Sequence, residues 1–178
     1  MSLWLRRIVI VLALAVLFHA AAIWLLPSGI VAVFTTRSAE RFGFNHTATQ
    51  SLPTDQSRSV VRPSPDLLYV VCLYDVSEHP LLLESDLPDN YWSLSLFAAN
   101  SDNFFAVNDQ QVKGQHPRYL LARDTKPAGL PPELADLPVI QAPSKTGVVL
   151  FRNLVLDPKA MEAAEAAQRS ARCTPVGG

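Results

Sequence analysis

The sequence predicts a mainly β fold: an antiparallel β-sandwich of about seven strands with a C-terminal helix, preceded by an N-terminal transmembrane helix. Three observations predict it. Residues 8–26 are an apolar run, interrupted only by His19, directly behind Arg6 and Arg7. Residues 67–156 carry short apolar segments separated by turn residues, at a spacing of about eight to twelve positions. Residues 158–171 repeat alanine at helical intervals behind an Asp-Pro pair.

Composition narrows the classes of function. The 178 residues suffice for one domain with attachments, and the net charge is −1 with no dense Lys/Arg cluster, so no nucleic-acid partner is expected. Proline outnumbers glycine by 14 to 7, which favours strands broken by rigid turns over glycine-rich phosphate loops.

The first element is a membrane anchor over 1–26. Its nineteen residues, 8–26, all apolar but His19, extend about 28 Å as a helix and so match the hydrocarbon thickness of a bilayer. The arginine pair ahead of the run sets the N-terminus in the cytoplasm and the rest across the membrane. Ala20, Ala21 and Ala22 offer the alternative of a cleaved signal, but Ile23, Trp24, Leu25 and Leu26 continue the apolar run beyond them. Pro27, Ser28 and Gly29 are expected to interrupt the helix, with Ser28 capping a second, amphipathic juxtamembrane helix over 27–44. A polar, proline-bearing linker follows over 45–66, and the β-sandwich domain with its terminal helix occupies 67–173.

Within the domain, 67–76 is apolar on both faces, as a central strand is. Residues 77–80 turn the chain into Leu81, Leu82 and Leu83. The stretch YWSLSLFAANSDNFFAVND, 91–109, reads as a hairpin. Trp92, Leu94, Leu96 and Ala98 share one face by period-two alternation, and 99–103 supplies short polar side chains suited to a turn. Strands are further expected at 118–123, at 139–142 beyond a proline-rich loop, and at 148–151 with 154–156 behind. Asp157 is a helix N-cap with Pro158 in the first turn, and Ala160, Ala163, Ala164, Ala167 and Ala171 form a narrow apolar stripe ended by Thr174 and Pro175.

The two cysteines, Cys72 and Cys173, lie too far apart for a local metal or redox motif. In an oxidising compartment they are expected to join as a disulfide, closing a long loop. The alternative is a small core residue at Cys72 and a free tail thiol at Cys173.

The segments PSPDLLYVVCLYDVSEHPLLLE, LPDNYWSLSLFAANSDNFFAVND and VIQAPSKTGVVLFRNLVLDP, within 63–158, resemble a bacterial domain-of-unknown-function family, the one numbered 1254. The resemblance implies a β-sandwich-like fold in a cell-envelope setting and brings no catalytic residues. Larger members carry a companion domain numbered 1214. This chain looks like a small membrane-anchored variant whose companion is a separate membrane protein. The expected location is the bacterial inner membrane, single-pass, with the domain in the periplasm.

No spacing motif for a nucleophile, zinc, phosphate or dinucleotide occurs, so no catalytic residue, metal ligand or cofactor is assigned. Four residues are candidate binding groups. Arg152 breaks the last apolar strand beside Asn153, and a buried guanidinium calls for a carboxylate such as Asp75 or Asp102. Asp102 and Asn103 lie in an acidic-amide turn that lacks the glycine and glutamate of a calcium loop. Tyr91, beside Trp92, offers a ring to floor a groove. The leading function is a non-enzymatic envelope module that binds or positions a partner. The alternative, an envelope enzyme or metal-binding protein acting on a small substrate, requires Tyr91, Asp102, Asn103 and Arg152 to converge in one pocket.

Overall fold

The computed structural model describes residues 2–57, 63–112 and 116–177; part of the expected linker, 58–62, lies outside them. The chain begins with one helix, α1 (Leu3–Phe42), whose 40 residues extend about 60 Å. Ser2 caps it by accepting from the Leu5 amide, and Gly43, at φ 75°, ends it. The break expected at residues 27–29 does not occur. Pro27 deletes only its own amide bond, and the helix continues through Ser28 and Gly29 to Phe42. Thr35 is its only buried residue, while Ile8, Leu14, Phe18 and Trp24 stand open. The helix is long and apolar enough to cross a membrane.

Nine strands are found among the described residues. The five-stranded sheet takes the order β1 (Thr47–Thr49), β2 (Leu67–Asp75), β8 (Thr146–Leu154), β4 (Trp92–Ala98), β5 (Asn103–Asn108), with every pair antiparallel. The four-stranded sheet takes the order β7 (Val139–Gln141), β6 (Arg118–Ala122), β3 (Leu81–Glu84), β9 (Arg172–Pro175). Here the expectation of a purely antiparallel fold is corrected, because β6 and β7 run parallel. Residues 123–138, with a 3-10 turn at Pro132–Leu134, carry the chain back to the start of β6, the long crossover that a parallel pair needs.

Two strands beyond the expected seven are short edge strands. The first, β1, lies in the linker and the second, β9, follows the last helix. Neither has an alternating apolar pattern; each is added by pairing with a long apolar neighbour. The opposite error concerns β8, which runs without a break through Arg152 and Asn153, paired to β2 from Thr146 to Leu154.

The core lies between the sheets. Val70, Cys72 and Tyr74 of β2, Val149 and Phe151 of β8, and Leu94 and Leu96 of β4 meet Leu81, Leu83, Leu121 and Ile140 of the smaller sheet. The disulfide Cys72–Cys173 ties the two sheets together across this core. The last helix, α2 (Pro158–Ser170), is capped by Asp157, whose carboxylate accepts from the Ala160 amide at 2.8 Å. It buries Ala164 and Ala167, as its stripe predicts. Gln168 turns back to donate to the Gln50 and Tyr69 carbonyls, closing the β2 edge.

Candidate functional site

The five-stranded sheet has two distinct ends. At the first, Asn45 (φ 61°) receives the chain from α1 and clamps β2: its amide donates to the Leu73 carbonyl, its side chain accepts from the Asp75 amide at 2.7 Å, and it donates to the Asp75 carbonyl. The β4–β5 turn lies at this same end. Ser28, Val31 and Thr35 of α1 face Ala98, Asn100 and Ser144 across a cleft of about 560 Å³. Ser144 organises this end, since its hydroxyl lies 3.2 Å from that of Tyr74, accepts from the Ala99 amide and donates to the Thr146 carbonyl.

The opposite end, formed by the start of β2 and β4 and the end of β5 and β8, is chemically different. Five buried side-chain atoms there lack a hydrogen-bond partner: Asn90 Oδ1, Ser93 Oγ, Asp109 Oδ1, Arg152 Nε and Asn153 Oδ1. They are all the buried side-chain polar atoms of the described residues without a partner. They gather because the register aligns them. Asn153 is opposite Trp92 and Arg152 is opposite Ser93, while the Asp109 amide donates to the Trp92 carbonyl and the Asn90 amide group to that of Leu154. Trp92 and Asn153 belong to the core face, so by alternation Ser93, Ser95 and Arg152 occupy the outer face. Arg152 Nη2 donates to Ser95 Oγ at 2.9 Å. Buried polar groups in folded proteins are nearly all paired, and each orphan costs about 1–3 kcal/mol, so five at one end mark a local conflict with stability.

The four sequence-predicted binding residues divide between the two ends. Arg152 and Tyr91 fall at the orphan-bearing end, where the Tyr91 carbonyl accepts from the Leu154 amide and its ring is exposed. Asp102 and Asn103 fall at the α1 end, since Asn103 is opposite Phe97, about 13 Å along β4 from Ser93. Their bonds are those of a turn: Asp102 accepts from the Asn100 amide group at 2.6 Å and Asn103 donates to the Leu96 carbonyl. Asp75, opposite Thr146, is about 20 Å along β8 from Arg152. Neither carboxylate considered for Arg152 reaches it, and the four residues do not form one pocket.

Sequence reasoning missed Ser93, Ser95 and Asn90, and it noticed Asn153 beside Arg152 without assigning it to a site. The serines at alternate positions of the aromatic strand were a signal that its outer face is polar, but their meeting with Arg152 depends on a pairing 57 residues away. It also missed a charged hollow of about 390 Å³ on the smaller sheet. There Glu84 takes Arg118 Nε at 3.0 Å and Asp86 takes His116 Nδ1 at 2.7 Å. These pairs are largely solvent-exposed and contribute little to stability. Among the described residues no three His, Cys, Asp or Glu side chains gather as a metal site needs.

Taken together, fold and site define a disulfide-bridged β-sandwich carried behind a long apolar helix, with its unpaired polar groups collected at one end of the larger sheet. The chain belongs to the DUF1254 family of proteins of unknown function, whose model matches residues 44–175. No curated protein sequence matches it. Its fold is similar to that of the VPA0106 protein from Vibrio parahaemolyticus, with a TM-score of 0.67 and 14% identity over 87% of this chain. It is also similar to an uncharacterized protein from Burkholderia cenocepacia, with a TM-score of 0.56 and 15% identity over 81% of this chain. The likeness is one of fold alone, and the match takes in only 36% and 38% of those two longer chains.

Proposed function

We propose that this chain is a membrane-tethered cell-envelope module that binds or positions a partner. In this reading α1 crosses the bacterial inner membrane with its N-terminus in the cytoplasm, and the bilayer is engaged through residues 8–26. The sandwich stands in the periplasm. The orphan-bearing end of the five-stranded sheet meets a companion protein, a separate membrane protein of the 1214 type.

The observation that carries the reading is the bare helix. The large apolar side chains of α1 up to Leu26 stand exposed, whereas the sandwich encloses its own. A lipid phase is the natural environment for such a surface. Arg6 and Arg7 ahead of the run support the orientation, and the Cys72–Cys173 disulfide supports an oxidising compartment. With Ser28 and Thr35 lining the cleft against the β4–β5 turn, that turn faces the membrane. The opposite end then points outward, about 25 Å further along the strands. Two larger proteins of similar fold, of which this chain matches about a third, support a companion.

The test combines carbonate extraction of membranes, a gel run with and without reductant, and photo-crosslinking from position 91 in intact cells. The chain is expected to stay with the membranes, to shift on reduction and to crosslink to one defined membrane protein. A chain found in the cytosol with both thiols open to alkylation overturns the reading.

A further inference from the structure

We infer that Arg152, Ser93 and Ser95 form a binding site for a single carboxylate on the outer face of the five-stranded sheet. The inference deepens the reading above by naming what that end recognises, and it rests on that reading only where it says who carries the carboxylate.

The site is built by the register. Tyr69, Arg152, Ser93 and Asn108 form one cross-strand row on β2, β8, β4 and β5. Arg152 spends Nη2 on Ser95 Oγ, and its Nε, out of contact with solvent, has no partner. Ser93 is 5% exposed, and its hydroxyl is likewise unpartnered although it lies in the same row as the guanidinium. The ion pairs among the described residues are His116–Asp86, Arg118–Glu84 and Arg169–Glu165, so Arg152 has no carboxylate of its own.

Donor inventory then determines the ligand class. Arg152 Nε–H can only donate, and Ser95, which already accepts from the guanidinium, has its own hydrogen to give. Ser93 has a free hydroxyl on the same face. Donors gathered around one permanent cation, without an anion, are the complement of an oxyanion. The other members of the row, Tyr69, Ser93 and Asn108, add no second cation. One guanidinium balances one negative charge, and its Nε edge matches the two oxygens of a planar carboxylate, so a carboxylate fits better than a doubly charged phosphate. The neighbouring orphan Asn153, opposite the core residue Trp92, belongs to the opposite face and takes no part, and Asp109 forms no ion pair with Arg152.

The test uses the full chain in detergent micelles and follows the Arg152 Nε–Hε resonance during titration with sodium acetate, sodium phosphate and, at matched ionic strength, sodium chloride. Acetate is expected to shift the resonance saturably with half-saturation in the millimolar range, while chloride does not. In the Ser93→Ala chain the midpoint is expected to rise severalfold. In Arg152→Gln, judged folded by its melting transition, acetate is expected to lose its effect on the Ser93 and Ser95 amide resonances.

An acetate response equal to that of chloride, or unchanged amide shifts in Arg152→Gln, overturns the site. Saturation by phosphate in preference to acetate overturns the carboxylate assignment. Repeating the intact-cell crosslinking from position 91 with Arg152→Gln separates the sources. Loss of the crosslinked companion supports a carboxylate on that partner, and its persistence with acetate binding lost supports a free organic acid. A chain that binds acetate yet lies in the cytosol keeps this site and refutes the membrane reading.

Discussion

Cys173, on the last edge strand of the smaller sheet, is bonded to Cys72, midway along β2 of the larger one, so 101 residues of chain are closed by a covalent link through the core. Both cysteines are buried. Closing so long a loop removes entropy from the unfolded chain and is expected to stabilise the domain by about 4 kcal/mol. The Cys72→Ala/Cys173→Ala pair should therefore unfold at markedly lower urea than the oxidised protein. Equal midpoints would show that the link adds nothing to the pairing of β9 with β3.

Gly147 is held by a close approach rather than by backbone freedom. A Cβ added there would fall on the Phe97 carbonyl oxygen and on the Tyr74 ring, and the backbone oxygen cannot move aside. Gly147→Ala is expected to push Tyr74 off Ser144 and to destabilise the domain by about 1–3 kcal/mol. Thermal melting of the single variant checks the loss. A smaller loss in Gly147→Ala/Tyr74→Ala than the two single losses combined would identify the ring as the obstacle.

Alkaline pH should expose the same tyrosine. Burial raises the Tyr74 pKa, opposed in part by the Ser144 hydrogen bond and by Arg123, and burial raises that of Tyr119 as well. In the unfolded chain these phenols ionise near pH about 10. Above that pH the unfolded state therefore binds fewer protons than the folded one, and stability falls as pH rises toward the raised values. Below it the contribution is fully present. Tyr74→Phe should flatten the decline measured by urea unfolding between pH 9 and 11 (a window set by the phenol pKa of roughly 10). An unchanged slope in Tyr74→Phe/Tyr119→Phe would refute the assignment.

What the sequence made legible was the part governed by local pattern. The alternation in 91–109 identified the buried face of β4, since Trp92, Leu94, Leu96 and Ala98 are all buried, and Asp157 with Pro158 marked the start of α2. What it did not make legible depended on pairing at a distance. Strands β1 and β9 owe their existence to neighbours, and β6 meets β7 in parallel only because a proline-rich crossover brings it round. The candidate site divides along the same line. Arg152 was conspicuous as a charge in an apolar strand, but its company of Ser93 and Ser95 follows from the β4–β8 register, which no local pattern encodes. Pro27 was over-read as a stop, because a single missing amide does not end a helix with strong apolar formers on both sides.

That register makes Arg152 the residue on which stability and function should part. A half-buried guanidinium with Nε unpaired loses hydration without recovering it in the fold, so the folded state bears the desolvation cost. Methionine keeps the unbranched stem between Tyr69 and Ser93 and removes the charge. Arg152→Met is therefore expected to stabilise the domain by about 1 kcal/mol, read as a higher urea midpoint at unchanged slope. Arg152→Ala would lose the stem packing too and should gain less, or nothing. An arginine whose purpose is structural behaves in the opposite way, with both substitutions destabilising by more than about 1 kcal/mol because Ser95 depends on it. The sign of the Arg152→Met change thus distinguishes a charge retained for a ligand from one retained for the fold.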